Sequence, residues 1–179
     1  MMPWRLRRAE EGDAPALSLV AAASFLETFA GILSGDDIVA HVTNKSAPAM
    51  FARWIADPVS IATLATHPDG DAPVGYTVLT TPDAVGDIMP GDIELRRIYT
   101  LSTARGTGLG SALMDRAITD ARALGHIRML LGVLATNHRA CAFYERQGFN
   151  VVADRRFKVG ATWHDDRVYA RALTGSSSG

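Results

Sequence analysis

A glycine-rich turn, Arg105-Gly-Thr-Gly-Leu-Gly110, stands between an apolar, strand-like run and a helix-like run. Glycines at alternate positions remove side chains, so the backbone N–H groups of the turn can approach a ligand closely. The first N–H groups and the dipole of the following helix favour an anion, and a guanidinium at the turn suits phosphate. The sequence therefore predicts a strand–turn–helix unit that binds a diphosphate through Arg105, Gly106, Thr107, Gly108, Leu109, Gly110 and Ser111.

Two common glycine motifs do not fit this turn. The dinucleotide fingerprint Gly-x-Gly-x-x-Gly/Ala fails because Ser111 stands at the sixth position counted from Gly106. The P-loop requires Lys and then Ser or Thr after its last glycine, whereas Ser111 and Ala112 follow Gly110. A nucleotide-binding α/β domain is therefore the weakest of the functional hypotheses for this chain.

The turn fits the pattern Arg-x-x-Gly-x-Gly, and the run from Glu94 to Met114 resembles the acetyl-CoA-binding core of the GNAT superfamily of N-acetyltransferases. A second run, Asn-His-Arg-Ala-Cys-Ala-Phe-Tyr-Glu-Arg-Gln-Gly-Phe at 137–149, resembles the same family. The resemblance implies the acyl-CoA N-acyltransferase fold, a mixed α/β (α+β) single domain over residues 1–173. In that fold two parallel strands of the central sheet splay apart, and the pantetheine arm of the cofactor lies between them.

Composition limits the other classes of protein. The chain has 179 residues, 47% hydrophobic and 21% charged, which is ordinary for one globular domain. A net charge of −1 argues against a nucleic-acid surface. A single cysteine, Cys141, excludes an internal disulfide and argues against a cysteine-based zinc site. Without an apolar leader or an apolar run of about 18 residues, we expect a cytoplasmic monomer or homodimer that neither spans a membrane nor holds a metal.

Periodicity and turn residues predict the order of the elements. Strands are predicted at 4–8, 60–66, 74–80, 92–101, 129–134, 149–153 and 166–173. Helices are predicted at 16–29, from Ser34 or Asp36 through 42, at 49–56, at 109–124, and from Thr136 or Asn137 to 147. Loops are expected at 81–91 and 154–165, and 174–179 is expected to be a flexible tail.

The resemblance to the family assigns further residues to the cofactor. The backbone of Ile98, Tyr99 and Thr100 would pair with the pantetheine arm, and an N–H near Ile98 or Tyr99 could face the acetyl carbonyl. Asn137 would donate a hydrogen bond to the pantetheine, and the small side chain of Ala140 would leave room for it. Acetyl-CoA is thus the expected co-substrate, and a small-molecule amine is the expected partner.

Catalysis is assigned to Tyr144 and Glu94. The family implies that Tyr144 protonates the leaving thiolate; the competing interpretation is a core aromatic packed beside Phe149. Glu94 is the leading base, predicted to share a strand face with Ile98 unless a bulge changes the phase. The competing interpretation of Glu94 is a solvated carboxylate at a strand end.

The acceptor amine is the least determined feature. Glu27 and Phe29 on the first helix are candidate substrate contacts. Short runs at 24–30, 36–41 and 157–161 resemble bacterial polyamine acetyltransferases, and the acids Glu27, Asp36, Asp37 and Glu94 could attract a polycation such as spermidine. The alternatives are a protein N-terminus or lysine, another small amine, or a non-catalytic acetyl-CoA sensor.

Overall fold

The computed structural model describes residues 4–83 and 87–174, so part of the predicted loop at 81–91 and most of the predicted tail lie outside it. Its seven strands are β1 (Arg5–Arg8), β2 (Ile61–Thr66), β3 (Pro73–Thr80), β4 (Asp92–Thr100), β5 (Arg128–Leu134), β6 (Asn150–Val159) and β7 (Thr162–Ala172). Its helices are α1 (Ala14–Phe29), α2 (Gly35–Lys45), α3 (Pro48–Ala56), α4 (Leu109–Ala123) and α5 (His138–Arg146). None of these helices is long and apolar enough to cross a membrane.

The seven strands form one mixed sheet in the order β1-β2-β3-β4-β5-β7-β6. Every neighbouring pair is antiparallel except β4 and β5, which run parallel. The parallel pair is short, because it joins only Asp92–Glu94 to Arg128–Leu130. Beyond these residues β4 and β5 diverge, which confirms the predicted mixed sheet with splayed parallel strands.

Helices cover both faces of the sheet. On one face, Met114 and Ile118 of α4 and Cys141 of α5 pack against Leu131 and Tyr169 of the sheet. The other face is covered by α1 and α3, and its core includes Leu17, Phe51, Leu64, Tyr76 and Val78. Burying each large side chain stabilises the fold by about 1.5–3 kcal/mol, so the two layers hold β3 and β4 firmly between them.

Local signals determine where the helices begin and end. The Ser34 hydroxyl accepts a hydrogen bond from Asp37 N and caps α2, while Gly125 and Gly148 follow α4 and α5 with φ of 85° and 86°. Glycine adopts this left-handed conformation without steric cost, and it is therefore common just after a helix. The predicted bounds of these helices are confirmed to within a few residues.

The C-terminal part of the sheet differs from the prediction. The expected loop at 154–165 is instead the outer part of a long hairpin, in which β6 and β7 pair from Asn150↔Ala170 to Val159↔Thr162. Residues 154–158 (Asp-Arg-Arg-Phe-Lys) are too polar to indicate a strand by composition. They form one because β6 is the edge strand of the sheet, where charged side chains are common and prevent further strand pairing.

Candidate active site

The divergence of β4 and β5 opens a cavity of about 1130 Å³. Residues 95–100 of β4 and 132–134 of β5 line it from the sheet, and the first turns of α4 and α5 line one end. Side chains of α1, α2 and the β6–β7 hairpin close the other end. The cavity therefore begins at the glycine turn and reaches both faces of the sheet.

The glycine turn fits a diphosphate. Gly106 and Gly108 have φ of 74° and 86°, and a Cβ added at either would meet no atom within 4 Å. The helical hydrogen bonds of α4 begin with Ala112 N to Gly108 O, so the N–H groups of Leu109, Gly110 and Ser111 have no partner within the helix. With the exposed Arg105 beside them, these donors match the oxygens of the coenzyme's diphosphate.

The side chain of Thr107 points away from this cradle. Its hydroxyl accepts a hydrogen bond from Trp4 Nε1 at 3.0 Å and donates one to Ala104 O. Thr107 is not among the residues that line the cavity, so only its main-chain N–H remains for the predicted cofactor contact. Its side chain instead holds the turn in place through hydrogen bonds with Ala104 and with Trp4, the residue just before β1.

Main-chain groups on one edge of β4 are free to bind an extended ligand. The opposite edge is paired with β3, with Gly75↔Thr100, Tyr76↔Tyr99 and Thr77↔Ile98. No residue of β5 pairs with β4 beyond Glu94, so the edge that faces the cavity keeps its N–H and C=O groups. A pantetheine arm, which carries two amides, can pair with such an edge as an added strand would.

Three predicted residues of the second motif reach the cavity from α5. Asn137 lies just before the helix, with φ −81° and ψ 71°, and its Oδ1 accepts a hydrogen bond from Ala140 N at 3.3 Å. Asn137 is therefore the cap of the helix, one of the two caps that the sequence predicted. Its amide NH₂ group remains to donate to a cofactor, and Ala140 and Tyr144 line the same cavity.

Tyr144 is 8% exposed, and the centroid of its ring lies 6.1 Å from the ring centroids of both Phe149 and Tyr169. Tyr144 is thus part of the core and part of the cavity wall at once, so the two interpretations of the sequence are compatible. Burial raises the pKa of its hydroxyl above the ordinary value, and the neighbouring Tyr99 and Cys141 act in the same direction. The phenol is therefore protonated at neutral pH.

Glu94 faces the opposite side of the sheet from Ile98, contrary to the expectation from alternation. The pairing of β3 with β4 shifts between Val78↔Arg97 and Leu79↔Leu95, which leaves Arg96 as a bulge. Leu95 and Ile98 consequently both pack on the side of α4, and Glu94 turns to the side of α1 and α2. The bulge changes the phase of the strand, as bulges do.

Glu94 is 4% exposed as a whole residue and lines the cavity. Its Oε2 accepts hydrogen bonds from Asp83 N at 3.0 Å and from Arg96 Nη2 at 3.2 Å, and Oε1 accepts none from the described residues. Burial raises the pKa of Glu94, and the charge of Arg96 opposes this shift in part. The group is a buried carboxylate with one oxygen left for a ligand.

The other acids predicted to attract the acceptor do not converge on Glu94. Glu27 is exposed, lies outside the cavity wall, and accepts a hydrogen bond from Ser102 N at 2.6 Å. Asp37 binds the tip of the β6–β7 hairpin through Ala161 N and the Thr162 hydroxyl, and Asp36 is exposed. Of the two substrate contacts predicted on α1, only Phe29 lines the cavity.

Basic and imidazole side chains of the cavity were missed by the sequence reasoning. Towards α5 these are Arg139 and Arg146; towards the acceptor end they are His41, Lys45, Arg96, Arg97, Arg155, Arg156, Lys158 and His164. Arg139 and Arg146 lie within the second motif, so their spacing could have indicated them. The remaining residues come together only through the pairing of distant strands.

A mixed sheet whose parallel strands separate above a glycine turn, with a helix N-terminus at the mouth of the gap, is the fold of acyl-CoA-dependent N-acyltransferases. The chain belongs to the acetyltransferase (GNAT) family, whose model matches residues 24–149. It is an enzyme of that family and uses acetyl-CoA as its co-substrate. The residues described above provide a fitting site for this cofactor.

Individual relatives agree with this assignment. An N-acetyltransferase of Mycobacterium tuberculosis, described as uncharacterised, is 34% identical over 161 residues, covering 90% of this chain and 98% of that protein. The L-methionine sulfoximine/L-methionine sulfone acetyltransferase of Pseudomonas aeruginosa is 27% identical over 136 residues, covering 68% and 78%. The crystal structure of the PaiA N-acetyltransferase of Thermoplasma acidophilum with coenzyme A has the same fold, with a TM-score of 0.78 at 20% identity, covering 96% of this chain and 99% of that one.

Proposed function

We propose that this N-acetyltransferase acetylates a primary amine of a small molecule by direct attack, with Glu94 as the general base and Tyr144 as the general acid. The observation that carries the proposal is the placement of the two groups on opposite walls of one cavity. Glu94 lies on the side of α1 and α2, whereas Tyr144 lies on the side of α4 and α5. An acceptor amine that attacks a bound thioester from one side would lie near Glu94, and the thiolate that leaves on the other side would lie near Tyr144.

The bound acetyl-CoA supplies a thioester, whose carbon forms a bond to the amine nitrogen as its bond to sulfur breaks. Of the two protons that the acceptor ammonium loses, one leaves through Glu94 to solvent. The other replaces the proton that Tyr144 gives to sulfur, so the enzyme returns to its starting state. No covalent acetyl-enzyme is required, and the buried Cys141 needs no catalytic role.

The environments of the two groups suit these roles. The free Oε1 of Glu94 can accept a proton directly or through one water, and its raised pKa makes it a better base than an exposed glutamate. Tyr144 keeps its proton at neutral pH because burial raises its pKa. The main-chain N–H groups near Ile98 and Tyr99 are the candidate donors to the developing oxyanion.

The closure of the cavity supports a small acceptor over a lysine in a folded protein. The tip of the β6–β7 hairpin is bonded to the start of α2 through Asp37, which holds the hairpin beside the helices at the acceptor end of the cavity. The Pseudomonas aeruginosa relative is named for two amino-acid derivatives, which agrees with this choice. A polyamine has less support, because Glu27, Asp36 and Asp37 do not line the cavity beside Glu94.

Release of thiol from acetyl-CoA tests the proposal with a panel of free amino acids, amino-acid esters, spermidine and a lysine peptide. Turnover of at least one small amine is expected. The variant Tyr144→Phe should lose about 10²-fold in kcat, because it loses general-acid catalysis, while its CoA affinity stays within about twofold by calorimetry. Binding of acetyl-CoA without turnover of any amine would favour the sensor hypothesis, and unchanged kcat in the variant would remove Tyr144 from the mechanism.

A further inference from the structure

The acceptor end of the cavity contains a guanidinium whose donors are satisfied only in part by the described residues. Building on the function proposed above, we infer that the acceptor is an amine that also carries a carboxylate, as a free amino acid does. Arg155 binds this carboxylate. The inference names the substrate class of the same site. It rests on the position of Arg155, on its hydrogen bonds and on the charges around it.

The position of Arg155 depends on Gly132. Arg155 stands opposite Asp166 in the β6–β7 pair, and its guanidinium reaches across β7 to Gly132 on β5. A Cβ at position 132 would lie 2.7 Å from Arg155 Cζ and closer still to Nη2. Only glycine leaves this space, so the guanidinium lies against the backbone of β5 where that strand separates from β4.

Arg155 shares a face of the sheet with Glu94. Glu94 pairs with Leu130, and Leu130 clusters with Val168 and Ala153 on the face that also carries Gly132 and Arg155. The charge of Arg155 lowers the pKa of Glu94 against the effect of burial, which places the two groups within electrostatic reach. An amine next to Glu94 would therefore bring a neighbouring carboxylate towards Arg155.

The hydrogen bonds of Arg155 are incomplete within the described part of the chain. A guanidinium has five N–H donors, and here Nη2 makes one long bond to Asp166 Oδ2, at 3.4 Å. The Nε atom is buried and has no partner, and His164 Nε2 on the same wall is likewise buried and unpartnered. Leaving such a buried donor unsatisfied costs free energy, which a planar carboxylate would recover by pairing with the guanidinium in two places.

The other cations that line this region are either hydrogen-bonded or exposed, and the exposed Arg156 and Lys158 lie over the Trp163 ring. Arg96 binds Glu94 and the Thr80 hydroxyl, and Arg97 binds Lys45 O and the Ser46 hydroxyl. Among the described residues of this wall, Arg155 is the partly buried guanidinium that keeps unpaired donors. A polycation would leave those donors unpaired and add like-charge repulsion, so a carboxylate fits where spermidine does not.

The experiment compares free L-amino acids, L-methionine sulfone among them, with their methyl esters and with spermidine, as kcat/KM from thiol release. The ester keeps the amine and removes the negative charge. We expect the free acids to exceed their esters by about 30-fold or more, the range for losing one partner of a buried charge pair. Arg155→Gln should abolish this preference, mainly by raising KM for the acids.

Two further variants control for misfolding. Gly132→Ala keeps Arg155 but fills its space, and it should reduce the preference in the same way. Arg156→Gln removes a neighbouring exposed cation that lies over Trp163, and it should leave the preference intact.

Two outcomes would overturn the inference but leave the proposed function standing. One is that esters or spermidine are turned over as well as the free acids, and the other is that Arg155→Gln loses equal activity towards acid and ester. Failure of every amine, with acetyl-CoA still bound, would overturn both.

Discussion

The Asp37 carboxylate at the start of α2 accepts a hydrogen bond from the Thr162 hydroxyl at 2.6 Å, across 125 positions of the chain. A second bond from Ala161 N, at 3.0 Å, joins the same carboxylate to the turn of the hairpin. The two bonds hold the pKa of Asp37 below its usual value, so the contact is formed at neutral pH. They attach the hairpin that carries Arg155 to the helices on the other side of the cavity.

We expect Asp37→Ala to loosen the hairpin without disturbing the cofactor cradle. KM for the acceptor should rise several-fold, KM for acetyl-CoA should stay within about twofold, and amide hydrogen exchange should quicken in the outer parts of β6 and β7. Asp36→Ala, at the exposed neighbouring position, is the matched control. Unchanged exchange in Asp37→Ala would show that the hairpin is held by other contacts.

Glu94 should control the acidic limb of the pH–rate profile. Because burial raises its pKa, kcat/KM should begin to fall at a pH above the ordinary pKa of a glutamate, and Glu94→Gln should remove that limb and lower the rate about 10²-fold. Ionisation of Glu94 should raise the rate but lower the stability of the fold. A raised pKa favours the protonated form in the folded state, so the ionised group costs stability at neutral pH. Glu94→Gln should therefore unfold at the same temperature as the parent or a higher one, and a lower temperature would contradict this.

Gly108 should be required for its backbone conformation. A residue with a side chain at a φ of 86° costs about 1–2 kcal/mol, and the new Cβ would stand in the space left for the diphosphate. We expect Gly108→Ala to weaken CoA binding at least about tenfold by calorimetry. Gly12→Ala adds a methyl group in equally open space without a positive φ, and it should bind CoA as the parent does. Equal affinity for the two variants would contradict the proposed cradle.

His41 should make the fold sensitive to mild acid. Its ring stacks on Phe25 with centroids 4.2 Å apart, and burial, followed by the charges of Arg97 and Lys45, lowers the pKa of His41 to about 4. The unfolded chain takes up this proton below about pH 6.5, so the contribution of His41 to stability is present above that pH and declines as the pH falls. Between pH 7 and 5 the loss should be about 1–2 kcal/mol.

The variant His41→Phe keeps an aromatic stack and removes the titration. Its free energy of unfolding should fall less between pH 7 and 5 than that of the parent, measured by urea denaturation. His138→Phe, the same substitution at an exposed position, is the control. A pH dependence in His41→Phe identical to that of the parent would show that His41 titrates alike in the folded and unfolded states.

The elements that sequence predicts well are those specified by adjacent residues. Gly125 and Gly148 mark the ends of α4 and α5 because a glycine with positive φ terminates a helix locally. The glycine turn at 105–110 is similar, because its chemistry lies in consecutive backbone groups. For the same reason the diphosphate cradle could be proposed before its geometry was known.

The orientation of Glu94 and the role of Arg155 depend on partners far along the chain. The phase of β4 is set by its bulged pairing with β3, which no pattern within β4 records. Arg155 reaches the cavity because β6 pairs with β7, β7 pairs with β5, and position 132 is a glycine. The charges of 154–158 indicate a loop when considered alone, and only this pairing makes them part of a strand.

The parallel junction of β4 and β5 comprises three residue pairs, and it joins a four-stranded and a three-stranded antiparallel half. The pantetheine arm would lie where the hydrogen-bond ladder between these halves is missing. The coenzyme would then be a structural crosslink as well as a reactant, and its release after each turnover would free the halves to move against each other.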